Sequence, residues 1–246
     1  MTRQRILITG ASSGLGEGMA RTYAREGRAL ALCARRVDRL DALATELGAS
    51  AQQVVTSALD VTDVDTVAPV FDDLAAGLGG LDRVIVNAGS GAGAVLGTGG
   101  LHHNIDTVTT NLVGALAQIE AAMAIFRAQQ SGHLVLVASI AGVRGLPKAQ
   151  AAYSASKAGL ISLGQSLQTE LAHSPIRVTI LLPGYIETAI NAGVQTKLKV
   201  DRDRGVAALV AAIEREPARA SVPWWPWTLV GTALRLLPAP VVRKIV

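Results

Sequence analysis

The chain has one cysteine, Cys33, among 246 residues, so it can form no internal disulfide. Cys33 lies in the apolar run Leu30-Ala31-Leu32-Cys33-Ala34, which reads as a buried strand with a small core residue, not a reactive thiol. The four histidines, His102, His103, His133 and His173, show no metal-ligand spacing with it, so no metal is expected. Aromatic residues make up only 3% of the chain. Its bulk comes from alanine and glycine, which suit close packing of helices on a sheet. No stretch offers the ~18 continuous apolar residues of a membrane span. The first residues, Met1-Thr2-Arg3-Gln4-Arg5, lead straight into a short apolar strand without a signal-type apolar region. A soluble, cytoplasmic protein is expected. Neither sign of charge is massed. The net charge is +4, with arginines spread along the chain, and no nucleic-acid partner is expected.

Half of the residues are hydrophobic and 17% are charged, enough apolar material for a substantial core. Short apolar runs alternate with longer helical patterns. Ile6-Leu7-Ile8 reads as a strand, followed by a helix from Gly14 towards Arg25. A second strand spans residues 29–34. Leu40, Leu43 and Leu47 recur at helical spacing over 37–47, and Gly48 is placed to end that helix. A third strand contains Val54-Val55, a helix follows over 64–78, and a fourth strand covers 81–86. The periodicity predicts a long helix over 105–130, a strand over 133–138, a helix over 151–172 and a strand over 177–182. Alternation with nearly continuous apolar strands points to a parallel sheet covered on both faces. The expected architecture is a single Rossmann-type α/β domain over residues 1–246, a doubly wound parallel sheet, with 223–246 as an apolar C-terminal extension. Ligands in such sheets bind beyond the carboxyl ends of the strands.

Three segments with chemical content fall at those ends. Thr9-Gly10-Ala11-Ser12-Ser13-Gly14-Leu15-Gly16 follows the first strand and opens a helix, and its glycines would let backbone N–H groups close on a pyrophosphate. Asn87-Ala88-Gly89 ends the fourth strand and Ser139 the fifth. Tyr153 and Lys157, four residues apart, share one face of the next helix. A tyrosine, with a pKa of about 10, is a poor base at neutral pH, and a neighbouring ammonium lowers that value. A serine hydroxyl reaching the same point could hold a carbonyl oxygen. Such a device moves a proton between an alcohol and a ketone.

The ordered set Thr-Gly-xxx-Gly-x-Gly, Asn-Ala-Gly, Asn111, Ser139, Tyr-xxx-Lys and Pro183-Gly184 resembles the classical short-chain dehydrogenase/reductase family over roughly residues 5 to 222. The resemblance implies a nicotinamide dinucleotide cofactor and catalytic roles for Asn111, Ser139, Tyr153 and Lys157. Tyr153 would be the acid/base, and Lys157 would also hold the nicotinamide ribose. Ser139 would orient the substrate oxygen, and Asn111 would bend a helix and anchor a water leading to the lysine. Gly10, Ser12, Ser13, Gly14, Leu15 and Gly16 would surround the pyrophosphate. Asp60, beside Val61, would bond the adenine, although Asp60 could instead cap the following helix. Asn87, Ala88 and Gly89 would line the adenosine side, and Pro183, Gly184, Ile186 and Thr188 would close over the nicotinamide.

The end of the second strand selects between NAD and NADP. An acidic residue there would bond the ribose 2′-hydroxyl. Here Ala34 is followed by Arg35 and Arg36, whose guanidinium groups suit a phosphate. NADP(H) is therefore expected over NAD(H), either through both arginines or through Arg35 alone with Arg36 in a solvated helix start. The expected activity is NADP(H)-dependent interconversion of a ketone or aldehyde and an alcohol. An NAD-linked alcohol dehydrogenase and a non-catalytic dinucleotide-binding sensor are the alternatives.

Ile186, Ile190, Val194 and Leu198 suggest an apolar lid, with Leu146 and Val95 adding to the wall and the glycine-rich loop 90–100 flexing over it. The substrate is expected to be a small apolar carbonyl compound or alcohol. The extension holds every tryptophan of the chain, in Pro223-Trp224-Trp225-Pro226-Trp227. After it come Leu229, Leu234, Leu236, Val242 and Ile245, with Arg235, Arg243 and Lys244 among them, and Pro238 and Pro240 limit any helix. It could pack on the protein itself or on another subunit of a homodimer or homotetramer, or lie on a membrane surface as a peripheral contact.

Overall fold

The structure, a computed structural model, describes residues 3–91, 93–191, 196–238 and 240–241. Val194, Val242, Arg243, Lys244 and Ile245, named above, lie outside the described residues.

The chain alternates β1 (Arg5–Thr9), α1 (Gly14–Arg25), β2 (Ala29–Ala34), α2 (Val37–Leu47), β3 (Gln53–Ala58), α3 (Val64–Leu78) and β4 (Arg83–Val86). A second half follows, with α4 (Leu101–Val108), α5 (Gly114–Gln129), β5 (Gly132–Val137), α6 (Ala151–Glu170), β6 (Ile176–Pro183), α7 (Arg202–Glu214), β7 (Arg219–Val222) and α8 (Trp224–Leu236). The strands form one seven-stranded sheet in the order β3-β2-β1-β4-β5-β6-β7, parallel throughout. This is the expected Rossmann-type doubly wound fold. The order reverses between β1 and β4, and the crevice at such a reversal is where ligands bind in open α/β sheets.

Side chains of one strand alternate between the two faces. Leu7, Val84, Val86, Leu134 and Leu136 pack with Phe71, Leu74, Ile119, Phe126 and Leu160 of α3, α5 and α6. Ile6, Ile8, Ile85, Val135 and Val137 face the other way, onto Met19, Tyr23, Leu40, Leu209 and Ile213 of α1, α2 and α7. A third cluster forms where α8 returns, around Ile140, Trp227 and Leu234.

The helix expected over 105–130 begins four residues earlier and is interrupted by a π turn over Thr109–Val113. The helical run 101–129 is long and apolar enough to cross a membrane by length and composition. Its inner side chains, among them Ala115, Ile119, Ala122 and Phe126, are instead buried against the sheet. Beyond β6, α7 and β7 were not expected from the sequence, and β7 pairs with β6 as a further strand. The extension is kinked at Trp225, whose backbone is extended, and helical from there to Leu236, two residues before Pro238.

At the amino ends of the strands a buried polar cluster holds the sheet. Arg83 Nε donates to His133 Nδ1 at 2.9 Å, and His133 Nε2 lies 2.9 Å from Thr179 Oγ1, which itself donates to the Pro217 carbonyl. Arg83 also pairs with Glu214 and Glu216. Burial, reinforced by the Arg83 charge, pushes the His133 pKa down to about 3.

Candidate active site

At the carboxyl ends of β1 to β6 a single cleft is lined by every residue proposed for cofactor or catalysis except Gly16 and Asn111. Those two stand behind the lining. The cleft also takes in Cys33, Leu59, Ser90, Thr110, Val137 and Ile190. Apart from Ile190, these were not singled out as site residues. They are strand-end and loop positions with no motif of their own.

The glycine-rich turn is built for close approach. Gly10 has φ +65°, and a Cβ there would meet the Ala88 backbone at 2.9 Å. A Cβ on Gly16 would lie 2.5 Å from the Gly10 carbonyl oxygen. Asn87 closes this arrangement from β4. Its Nδ2 donates to the Thr9 carbonyl at 2.9 Å, while the Thr9 hydroxyl accepts from the Asn87 and Ala88 amides at 3.0 Å each. The Asn87 amide N–H is therefore engaged in fastening β4 to the turn.

The two arginines behave differently. Arg36 turns back onto the turn, with Nη2 donating to Ser13 Oγ at 2.6 Å and Ser12 Oγ at 3.2 Å. Arg35 is 73% exposed and faces the Asp60 carboxylate at 3.9 Å. Arg36 is the exposed residue at the start of α2, yet its guanidinium is tied to the turn, which makes it the better held of the pair. Asp60 accepts from the Thr62 amide and hydroxyl at 3.0 and 2.8 Å. The residue at the start of α3 is Asp63, so the alternative of Asp60 as its cap is not realised. Although burial pushes the other way, the Thr62 hydrogen bonds and the Arg35 charge hold the Asp60 pKa below its ordinary value.

Asn111 sits in the π turn, fully buried. Its Oδ1 accepts from the Ser90 amide and its Nδ2 donates to the Ser90 carbonyl, both at 2.7 Å. It thereby staples the loop after β4 to the helix, and a π turn at such a position offers a side chain that a regular helix would hide. Nδ2 also reaches Ser156 Oγ at 3.3 Å, linking the turn to α6.

Helix α6 places Tyr153 and Lys157 on one face. Gly142 lets the segment after Ser139 pack against the α6 backbone, because a Cβ there would collide with the Lys157 carbonyl group. Ser139 follows β5, and its Oγ accepts from the Ala141 amide at 3.1 Å. Lys157 Nζ donates to the Val137 carbonyl at 2.9 Å and lies 5.9 Å from the Tyr153 ring centre. Burial lowers the Lys157 pKa to about 8, so the ammonium still predominates at pH 7. The expected lowering of the Tyr153 pKa is outweighed in this structure. Burial raises it above its ordinary value, the Ser139 hydroxyl pulls it down and the neighbouring Tyr185 adds to the rise. Tyr153 is therefore a protonated phenol near neutral pH.

On the substrate side, Ile186 is buried and forms an isolated bridge with Val200, while Ile190 reaches across to Gly91. A Cβ on Gly91 would lie 2.3 Å from Ile190, so the loop after β4 and the lid segment touch. Val95 and Leu198 are exposed at 47% and 39%. Neither lines the cleft, and Leu146 does not either. Two residues without a motif, Tyr185 and Trp227, also meet at this end, with ring centres 5.4 Å apart.

A parallel sheet with a switch-point cleft, a glycine-rich turn and a Ser/Tyr/Lys group defines an oxidoreductase on a Rossmann-type nucleotide-binding fold. The family model for short chain dehydrogenases matches residues 4–199. An uncharacterized oxidoreductase of Mycobacterium tuberculosis is 56% identical over 247 residues, covering 99% of this chain and 98% of that protein. An uncharacterized oxidoreductase of Myxococcus xanthus is 36% identical over 226 residues, covering 91% and 89%. Among solved structures, the alcohol dehydrogenase of the archaeon Thermococcus sibiricus, complexed with 5-hydroxy-NADP, is 27% identical with a TM-score of 0.78, covering 89% of this chain and 95% of that one. Levodione reductase is 26% identical with a TM-score of 0.79 over the same shares. The chain belongs to the short-chain dehydrogenase/reductase family.

Proposed function

We propose that the protein is an NADP(H)-dependent oxidoreductase that interconverts a ketone or aldehyde with an alcohol on a small apolar molecule. The observation that carries this reading is the meeting of Ser139, Tyr153 and Lys157 in the cleft that the glycine-rich turn opens. The cradle fits a dinucleotide, because the turn leaves no room for side chains at Gly10 and Gly16 and presents its backbone at the start of α1. Gly10, Ser12, Ser13, Gly14, Leu15 and Gly16 would hold the pyrophosphate. Arg36, with Arg35, would hold a 2′-phosphate. Asp60, Val61, Asn87, Ala88 and Gly89 would line the adenosine half, and Pro183, Gly184, Ile186 and Thr188 the nicotinamide half. When bound, the cofactor supplies or accepts the hydride.

The chain's own groups manage the proton. In reduction, Tyr153 Oη donates its proton to the oxygen of the former carbonyl, and in oxidation it accepts the alcohol proton. Ser139 Oγ orients and polarises that oxygen. Lys157 supplies a positive charge that stabilises the phenolate left behind and would hold the nicotinamide ribose. Asn111 keeps the loop after β4 in place and offers the anchor for a proton path towards Lys157. Exposed Leu101, Ile105, Val113 and Leu116, on α4, the π turn and α5, support assembly into a homodimer or homotetramer. Exposed Trp224, Trp225, Leu229 and Leu236 on α8 support contact with another subunit or a membrane surface.

A panel of ketones, aldehydes and alcohols, followed by nicotinamide absorbance with both cofactors, tests the reading. Turnover is expected with NADP(H) and an apolar carbonyl or alcohol. No turnover with any pair, or turnover with NAD(H) only, contradicts it.

A further inference from the structure

The net charge of +4 comes from one end of the chain. Of the 23 basic residues, Arg219, Arg235, Arg243 and Lys244 follow Glu216, and no acidic residue does. The remaining 19 basic residues are matched by the 19 acidic ones. The same last stretch holds all three tryptophans. Helix α8 gives part of it two unlike sides. Trp227, Gly231 and Leu234 point inward, with the Trp227 ring against Gly184 and Leu234 packed with Ile140. Arg144 Nη1 donates to the Leu234 and Leu237 carbonyls at 3.0 and 2.5 Å, fastening the helix end. Leu229, Thr232 and Leu236 recur at helical spacing on the opposite side and are exposed, Leu236 at 75%. At the kinked start, the exposed Trp224 and Trp225 rings stand 6.1 Å apart. Arg235 is exposed beside the stripe. Arg219 on β7 is near it, since burial and, after it, the Arg235 charge lower the Arg219 pKa. Neither arginine forms an ion pair among the described residues.

We propose that α8 docks in the plane of an anionic lipid surface, with Trp224, Trp225, Leu229 and Leu236 in the boundary between headgroups and acyl chains and Arg235 against the headgroup phosphates. Tryptophan rings favour that boundary, and an amphipathic helix flanked by basic residues lies along it. Charge selects a bilayer over a second copy of the chain. A two-fold contact sets one patch against itself. A patch with two arginines and no carboxylate would then face its own like charges. An anionic surface instead complements it. Because the inner side is already packed on Gly184 and Ile140, the helix exists before docking, and binding need not order it. The inference goes beyond the oxidoreductase reading and does not depend on it.

The test adds vesicles to the full-length protein and follows tryptophan fluorescence. The vesicles are phosphatidylcholine alone or phosphatidylcholine mixed with phosphatidylglycerol, both with brominated acyl chains that quench nearby indoles. Trp227 is buried, so quenching reports Trp224 and Trp225. Saturable quenching is expected with the anionic vesicles and little with the neutral ones, and high salt should weaken it. Arg235→Glu should raise the lipid concentration at half-saturation by at least about fivefold, the scale of one basic residue at an anionic surface. Leu229→Ser combined with Leu236→Ser should raise it by at least about tenfold, the scale of lost apolar burial. All three positions are exposed, and far-UV circular dichroism should match the wild type. No quenching by anionic vesicles, equal quenching by both kinds, or an unchanged titration in either variant overturns the proposal. A wild type that sediments as a larger assembly than the Leu229→Ser, Leu236→Ser variant assigns the stripe to a second copy and overturns it too. No readout involves turnover. Absence of carbonyl reduction would therefore leave the docking result standing, and failure to dock would leave the oxidoreductase reading standing.

Discussion

Replacing Arg36 with alanine is expected to damage NADPH binding more than replacing Arg35, the reverse of what exposure to a ligand alone would suggest. Arg36 is held from below by the Ser12 and Ser13 hydroxyls, so its guanidinium is already ordered at the mouth of the turn. An ordered cation facing a phosphate keeps most of a charge-assisted hydrogen bond, about 1.5–3 kcal/mol. That corresponds to a roughly 10- to 150-fold rise in Kd. Arg35 is 73% exposed and already faces Asp60. Solvent screening limits an exposed pair to about 0.2–1 kcal/mol, at most roughly fivefold. NADH lacks the 2′-phosphate and serves as the control. Fluorescence titrations of both cofactors against wild type, Arg36→Ala and Arg35→Ala, at low and high salt, provide the assay. NADPH affinity should fall in the stated order while NADH affinity stays nearly constant, and the Arg35 share should fade with salt. Equal losses for NADPH and NADH in Arg36→Ala, or a larger loss in Arg35→Ala, would refute the reasoning.

Carbonyl reduction should be fastest on the acid side of pH 8. There Tyr153 is a protonated phenol and Lys157, with a pKa of about 8, keeps its charge. A reduction rate that climbs steadily from pH 7 to 10 would contradict this. The His133 pKa is depressed in the folded protein to about 3, below the ordinary 6.5. Stability from this group is therefore present above 6.5 and lost as pH falls towards 3. Urea denaturation should show on the order of 2 kcal/mol lost between pH 7 and pH 4.5 from His133, and His133→Gln should flatten that slope. Liposome pelleting of wild type beside a Trp224→Ser, Trp225→Ser, Leu229→Ser, Leu236→Ser variant tests membrane contact by α8. Co-sedimentation with anionic vesicles should be lost in the variant, and unchanged pelleting would dismiss that contact.

Much of the fold could be read from the chain because its signals are local. The apolar runs of β1 and β2 are fully buried on both faces, and the leucines of α2 recur on one side. Elements without such signals escaped. Helix α7 opens on Arg202-Asp203-Arg204, and β7 is a short, half-exposed strand that exists because β6 offers it an edge. The polar start of α4, with His102, His103 and Asn104, hid the true beginning of the long helix. The site shows the same division. Glycine spacing and the Tyr/Lys interval mark the cleft, while the partners of those groups lie far away in sequence. Asn87 is tied to Thr9, Arg36 turns back on Ser12 and Ser13, and Lys157 finds the Val137 carbonyl. Trp227 lies against Gly184 because Gly184 leaves room for its ring and Gly231 lets its helix pack on Ile140. No local pattern announces such a contact. The Tyr153 pKa follows the same logic, since a neighbouring lysine is visible in the sequence and the depth of burial is not.

The most direct measurement is single-turnover reduction of a ketone substrate by Tyr153→Phe, with NADPH affinity determined on the same protein. The account predicts a loss of at least about 100-fold in the chemical step, the lower range for a general acid, with NADPH binding nearly intact. A Tyr153→Phe enzyme that reduces the ketone at close to the wild-type rate would contradict it.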